Sequence, residues 1–280
     1  MSKNNDRKAP PKATAPVLFI ILIALALLLA NAGGGSKPES DPKPADTPAP
    51  MQSSEPTQTP EPEQTPEPTQ TPAPVVRSGA LPESADAGQE YIDRLVFLGD
   101  STTYGLKAYE VVRGDQVWTP SSGTLALFNQ AVATIVYPKT DTEILITDAV
   151  GDAKPEYMVL TIGVNGVSMM DEDAFKSDYT ALVQRIQSVS PDTKIICNSI
   201  YPVESTYEAK NNGINNAKIN AANGWILEVA EQNGCGYTDS ASVLKGSDGC
   251  LMPEYGNGDG IHLCTAGFEA VLQYLRTHKY

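Results

Sequence analysis

The tightest constraint on what this chain can fold into is a set of short apolar runs that each stop at a turn residue. They are RLVFLGD (residues 94–100), EYMVLTIGVNG (156–166), TKIICNSIYP (193–202) and the shorter GCGYTDS (234–240). Each is rich in Val, Ile, Leu or Tyr and bounded by turn formers, which predicts β-strands. The runs are continuous rather than alternating, so both faces of these strands are expected to be buried. Helical stretches lie between them. DEDAFKSDYTALVQRIQSV (171–189) opens with acids suited to a helix N-terminus, and its Phe175, Tyr179, Leu182, Val183 and Ile186 recur at three- and four-residue spacing. NAKINAANGWILEVAEQNG (216–234) predicts a second helix ending at Gly234 in a C-cap position. TAGFEAVLQYLRTH (265–278) predicts a third. Such an alternation indicates an α/β domain whose parallel sheet is covered on both sides, with right-handed crossovers. Ligands of such sheets bind at the carboxyl ends of the strands. Gly99-Asp100-Ser101 and Gly163-Val164-Asn165 fall at two of those ends.

The rest of the 280-residue chain is of a different kind. From about residue 91 the composition is that of one globular domain with a core. Upstream, 12 of the 22 prolines fall between Pro38 and Pro74, in sequence such as TPEPEQTPEPTQTPAP. That stretch cannot bury a core and should be extended and solvated, with a reach on the order of 100 Å. Further upstream, Lys3, Arg7, Lys8 and Lys12 precede the apolar run VLFIILIALALLLA (17–30), and no charge intervenes between Lys12 and Lys37. The run itself is short for a full span and suits a signal-peptide core; with its neutral flanks it is long enough to cross. Ala30-Asn31-Ala32 is a candidate cleavage site. A signal anchor and a cleaved signal peptide therefore compete, and in both the basic flank stays inside while the rest is exported. The expected organisation is a cytoplasmic basic N-terminus (1–16), a signal anchor or signal peptide (17–32), a Pro/Thr/Glu-rich extracellular linker (33–85) and a catalytic domain (86–280). The expected location is the cell membrane, single-pass with the domain outside; the alternative is secretion.

The net charge is −14, and from Tyr91 onward 13 Lys and Arg stand against 23 Asp and Glu. That argues against nucleic acid as a partner, since phosphates call for Lys and Arg; acidity alone reads as solubility. Export permits disulfides, but Cys197, Cys235, Cys250 and Cys264 allow three pairings, and free thiols are an equal reading. A Cys250–Cys264 bond would brace the loop discussed next. No CxxC or Cys/His cluster suggests a metal.

Of the two histidines, His278 lies near the C-terminus and His262 lies in GNGDGIHLCTAGF, three residues after Asp259. A serine just past a strand, with an Asp and a His from one later loop, are the parts of a hydrolytic triad. Serine is a poor nucleophile near neutral pH. An imidazole in reach can take its proton, and a carboxylate can hold that imidazole in the right tautomer. The backbone N–H of Ser101 and the side-chain amide of Asn165 are placed to receive the negative charge of the intermediate. Each residue has a plainer reading: Ser101 as a helix N-cap, His262 as a surface histidine, Asn165 as a turn residue beside Gly166. Asp100 reads as a structural acceptor for turn N–H groups. No G-x-S-x-G elbow, G-x-G-x-x-G or P-loop motif is present.

FLGDST, GVN and DGIHLCTAGF together resemble the nucleophile, asparagine and acid–base blocks of the SGNH (GDSL-type) hydrolases, over about residues 95–275. The resemblance implies a three-layer α/β/α flavodoxin-like fold and serine esterase activity without metal or cofactor. Carried over, Ser101 is the nucleophile, His262 the general base, Asp259 the residue orienting the imidazole and Asn165 an oxyanion donor. A glycine N–H is expected as a further donor, with Gly123 the candidate and Gly114 the alternative. Gly166 stands where many members carry aspartate. The function expected is removal of O-acetyl or other short acyl groups from carbohydrate or cell-wall glycans by a monomer. A lysophospholipase or general short-chain esterase, a non-catalytic glycan-binding module and an acyltransferase are the alternatives.

Overall fold

The computed structural model describes residues 79–280. The segment expected to meet the membrane, at 17–32, and most of the linker lie outside those residues. Among the described residues no helix is long and apolar enough to cross a membrane.

The elements in chain order are α1 (Gly88–Ile92), β1 (Leu95–Gly99), α2 (Ser101–Ala108), β2 (Val117–Trp118), β3 (Thr134–Tyr137), β4 (Thr142–Leu145), α3 (Ile146–Ala153), β5 (Tyr157–Thr161), α4 (Glu172–Val189), β6 (Lys194–Asn198), α5 (Ser205–Glu208), α6 (Asn216–Gln232), β7 (Gly236–Thr238) and α7 (Thr265–Thr277). Five strands form one sheet in the order β2-β1-β5-β6-β7, every neighbouring pair parallel. With the separate β3–β4 hairpin set aside, this is the flavodoxin-like order, and its strand order reverses beside β1.

The continuous apolar runs bury both faces, as expected. Leu98, Met158, Leu160, Ile195 and Cys197 pack with Val150 of α3, Phe175 and Tyr179 of α4, and Ile219 and Ile226 of α6. The alternate residues Phe97, Tyr157, Val159 and Ile196 pack with Ile92 of α1, Leu106 of α2, and Phe268 and Val271 of α7. The result is three layers. The five stripe residues of α4 are at most 1% exposed, and burying each contributes roughly 1.5–3 kcal/mol. Asp171 caps that helix by accepting from Ala174 N–H at 2.9 Å, and Glu172 and Asp173 follow in its first turn.

Two features depart from the sequence expectation, and one of its open alternatives is resolved. The stretch 117–153 contains β2, the antiparallel β3–β4 hairpin and α3. β2 has only two residues and β4 is largely exposed, so neither leaves an apolar run to read. Residues 79–85, which composition places in the linker, already run beside β7: Tyr237 N–H donates to Gly79 O at 2.5 Å and Leu81 N–H to Tyr237 O at 2.8 Å. The four cysteines are all unbonded, so the Cys250–Cys264 clip is not formed. The Cys264 thiol instead donates to Glu254 O at 3.2 Å.

Candidate active site

β1 ends in a turn with no room for a side chain at Gly99. A Cβ there would sit 2.1 Å from Thr103 Oγ1 and 2.3 Å from the Thr161 carbonyl oxygen of β5. Packing, rather than an unusual backbone angle, demands this glycine. Asp100 then caps α2, its Oδ1 accepting from Thr102 N–H at 3.0 Å and Thr102 Oγ1 at 2.7 Å. The N-cap is thus Asp100, and Ser101 is the first helical residue. At that position a backbone N–H has no partner within the helix, so the Ser101 N–H is available to a ligand.

The glycine-rich loop before α7 brings the other two groups. Asp259 Oδ1 accepts from the backbone N–H of Ile261 and of His262, both at 2.9 Å, which folds the loop around the carboxylate. Its Oδ2 lies 2.6 Å from His262 Nδ1, and His262 Nε2 lies 2.9 Å from Ser101 Oγ. Gly258 and Gly260 have φ of +96° and +91°, angles that L side chains rarely adopt. A Cβ on Gly260 would also sit 2.9 Å from Tyr207 Cβ. The loop is fastened from outside by Lys210 Nζ, which donates to Asp259 O at 3.0 Å, and by Glu204 N–H, which donates to Gly260 O at 2.8 Å. Partial burial pushes the Asp259 carboxyl up. The hydrogen bonds from the His262 ring and from the two backbone N–H groups outweigh that and hold it well below the usual carboxylate range. Asp259 therefore stays ionised beside the imidazole at any pH where a serine hydrolase works.

The charge-receiving side is arranged differently. Asn165 follows β5 on a turn opened by Gly163, whose φ is +132° and whose Cβ would meet Phe175 and Ile200 at 2.9 Å. Its Nδ2 donates to Leu125 O at 3.3 Å and to Asp100 Oδ2 at 3.4 Å. Gly123 does lie beside the serine, since a Cβ on it would be 3.9 Å from Ser101 Cβ. Its N–H, however, donates to Pro120 O at 3.0 Å inside its own turn. Gly114 lies instead against the Lys107 side chain. Among the two glycines weighed from sequence, Gly123 is the one beside Ser101.

Two features of the site go beyond the sequence reading, which took Asp100 only as an acceptor for turn N–H groups. Glu143, on β4, accepts from Ser121 N–H at 2.7 Å, Ser121 Oγ at 2.5 Å and Thr134 Oγ1 at 3.0 Å. It fastens the loop that carries Gly123 to the hairpin. Hydrogen bonding, first from the Ser121 hydroxyl and then from its N–H, lowers the Glu143 pKa. No local pattern announces this role. The second is Asp100 as a link between site halves. It is fully buried, and burial pushes its carboxyl up to about 6 against the hydrogen bonds from Thr102 and the field of His262. Below it, Asn198 bridges Thr161, Thr238 and Ser240 at 2.6–3.0 Å, so the strand ends form a satisfied polar floor.

No group of three His, Cys, Asp or Glu among the described residues is arranged to hold a metal ion. The chemistry on offer is proton transfer from Ser101 Oγ to an oriented imidazole, with donors on the opposite side.

Known proteins resemble this chain in sequence and in fold. The model of the GDSL-like Lipase/Acylhydrolase family matches residues 97–270, from within β1 to within α7. Among solved structures, one from Streptococcus pneumonia described as a "putative platelet activating factor" is 21% identical, with a TM-score of 0.50 over 67% of this chain and 84% of that one. A GDSL-like lipase from Bacteroides thetaiotaomicron VPI-5482 is 18% identical, with a TM-score of 0.46 over 68% of this chain and 88% of that one. An acetylxylan esterase from Geobacillus stearothermophilus, solved as a catalytic mutant, is 16% identical, with a TM-score of 0.41 over 66% of this chain and 94% of that one. No curated protein matches the chain significantly. The family match spans more than half of the chain and takes in Ser101, Asn165, Asp259 and His262, and the protein belongs to the GDSL-like lipase/acylhydrolase family.

Proposed function

We propose that this protein is an exported serine esterase that removes O-acetyl or other short acyl groups from carbohydrate or cell-wall glycans. The observation that carries the chemistry is the unbroken chain of contacts from Asp259 through His262 to Ser101 Oγ. Ser101 Oγ attacks the ester carbonyl while His262 Nε2 takes its proton, and Asp259 stabilises the imidazolium. The tetrahedral oxyanion is received by the Ser101 N–H and the Asn165 amide. The Gly123 N–H joins them on leaving Pro120 O. Collapse breaks the bond to the alcohol, which takes the proton from His262 and departs. Water, deprotonated by the same imidazole, then attacks the acyl-serine and releases the acid. No cofactor enters this cycle.

The carbohydrate and the location are supported by the upstream sequence. A basic flank, an apolar stretch and a proline-rich linker describe a domain held outside the cell, within reach of surface glycans. We read segment 17–32 as its membrane anchor and the domain as a monomer. The test is acetate release from O-acetylated xylo-oligosaccharides and peptidoglycan fragments, beside p-nitrophenyl esters of two to ten carbons. Release that requires Ser101 and is fastest for acetyl supports the reading. A preference for chains of eight carbons or more overturns the short-acyl assignment, and no Ser101-dependent release from any ester overturns the esterase.

A further inference from the structure

A cleft of about 280 Å³ opens beside the nucleophile, and the mechanism above makes no use of it. One wall is α2. Ser101 begins that helix, Tyr104 shares its side three residues on, and Lys107 lines the cleft one turn further along. The other wall is Pro120 and Ser121, two residues ahead of the Gly123 that lies against Ser101. Asp115 and Asp141 stand on the rim, Asp141 at the tip of the β3–β4 hairpin with a φ of +53°. The cleft thus starts within one helical turn of Ser101.

Its chemistry is mixed in a particular way. Tyr104 is 38% exposed and pairs with no other aromatic ring among the described residues, so its ring offers a flat face. Lys107 lays its stem against Gly114 and makes no ion pair among the described residues. Asp115 already faces Arg113 at 3.1 Å on its outer side. Ser121 is fixed by its two hydrogen bonds to Glu143, so that wall is rigid before any ligand arrives. A fatty chain in this space would strip water from Lys107 and two carboxylates without replacing it. A ligand with one apolar face and a rim of hydroxyls satisfies all of these groups. The volume lies just under the roughly 300 Å³ lower edge for small-molecule sites, which suits one ring rather than an extended polymer.

We propose that this cleft is a sugar subsite: a pyranose ring on the alcohol side of the ester stacks on Tyr104, and its hydroxyls hydrogen-bond to Lys107 and Asp141. The proposal rests on the carbohydrate-esterase reading and names how that site selects its substrate.

The full chain carrying Ser101→Ala binds without turning over, so calorimetric titration with an O-acetylated xylo-oligosaccharide reads the subsite alone. Adding Tyr104→Ala should weaken the Kd about tenfold, whereas Tyr104→Phe, which keeps the ring, should stay within about twofold. In the active enzyme, Tyr104→Ala should lower the ratio of kcat/KM for the oligosaccharide to that for p-nitrophenyl acetate by a similar factor, through KM. An unchanged melting temperature shows that the variant folds. Equal Kd with and without the ring overturns the proposal, as does equal loss in Tyr104→Phe and Tyr104→Ala, or no binding by the Ser101→Ala chain. Failure of the esterase reading looks different. It is a wild-type protein that releases no acetate from either substrate, whether or not Tyr104-dependent binding is present.

Discussion

The proton-handling half of the site and its charge-receiving half are built to different standards. Asp259, His262 and Ser101 are joined by contacts of 2.6 and 2.9 Å, and the loop that carries two of them is tied down by backbone, lysine and glutamate contacts. Across the nucleophile, the Asn165 amide is shared between Leu125 O and Asp100 at 3.3 and 3.4 Å, and the Gly123 N–H is taken up by Pro120 O. In the proposed reaction one half already stands in contact geometry. In the other, Asn165 and Gly123 hold internal acceptors that the proposed reaction exchanges for an oxyanion, while the Ser101 N–H has none to give up. The lesson is that preorganisation is distributed unevenly. Proton transfer needs its partners aligned before attack begins, while the Asn165 contact to Leu125 O and the Gly123 contact to Pro120 O can be exchanged for bonds to a forming negative charge, which are about twice as strong as neutral ones.

Breaking the aligned half should have the largest effect. Ser101→Ala is expected to lower kcat on p-nitrophenyl acetate by roughly 10⁴–10⁶-fold, and residual activity within tenfold of wild type would place the nucleophile elsewhere. Asp259→Asn should follow at about 10⁴-fold, since an amide at that position favours the wrong imidazole tautomer; steady-state kinetics with thermal melts separate this from unfolding. On the opposite half, Asn165→Ala should lower kcat by roughly 10²–10³-fold with KM nearly unchanged. A loss as large as that of Ser101→Ala would erase the distinction between the halves.

Asp100 joins the two halves and gives a pH test. Its carboxyl binds a proton more tightly folded, at about 6, than its ordinary value of 3.8. The stability it contributes is therefore fully present below pH 3.8 and is lost as pH rises to about 6. The difference in unfolding free energy between wild type and Asp100→Asn should fall across that window by on the order of 3 kcal/mol. A flat difference in chemical denaturation between pH 3.5 and 7 would mean that Asp100 is not buried as a carboxylate. The smallest effect should come from Glu143→Gln, which keeps the shape but weakens the bonds to Ser121. A loss of kcat of about two- to tenfold is expected from one charge-assisted bond made neutral. No change would separate the hairpin from the oxyanion loop.

Both halves left marks in the sequence. Gly99-Asp100-Ser101 and Gly163-Val164-Asn165 announce themselves because apolar strands stop there, and Asp259 and His262 share one short loop. The helices α4, α6 and α7 followed from periodicity, since each buries one stripe against the sheet. What could not be read depends on contacts between distant segments. Gly123 is one of several glycines until the chain folds it against Ser101, and Glu143 sits on a strand too exposed to show a pattern. Tyr104 was within reach: its three-residue offset from Ser101 places both on one side of α2. Gly99 was visible as a strand end, but the packing that demands it was not, because the Thr161 carbonyl belongs to β5 and Thr103 closes on Gly99 only once α2 forms.

The way residues 79–87 attach has a mechanical consequence. Gly79 and Leu81 are zipped to Tyr237 of β7, and Ser84 and Ala87 are pinned by their N–H groups to the end of α7, where Arg276 also grips Asp86. β7 is the edge strand farthest from β2, four strand spacings or roughly 19 Å away. Tension arriving along the upstream chain is therefore absorbed at the edge opposite the oxyanion loop and the cleft. In a single-molecule pulling experiment with hydrolysis monitored, the first extension should be the peeling of that short segment, with turnover continuing. If activity stopped at the same force, the load path would run through the nucleophile instead.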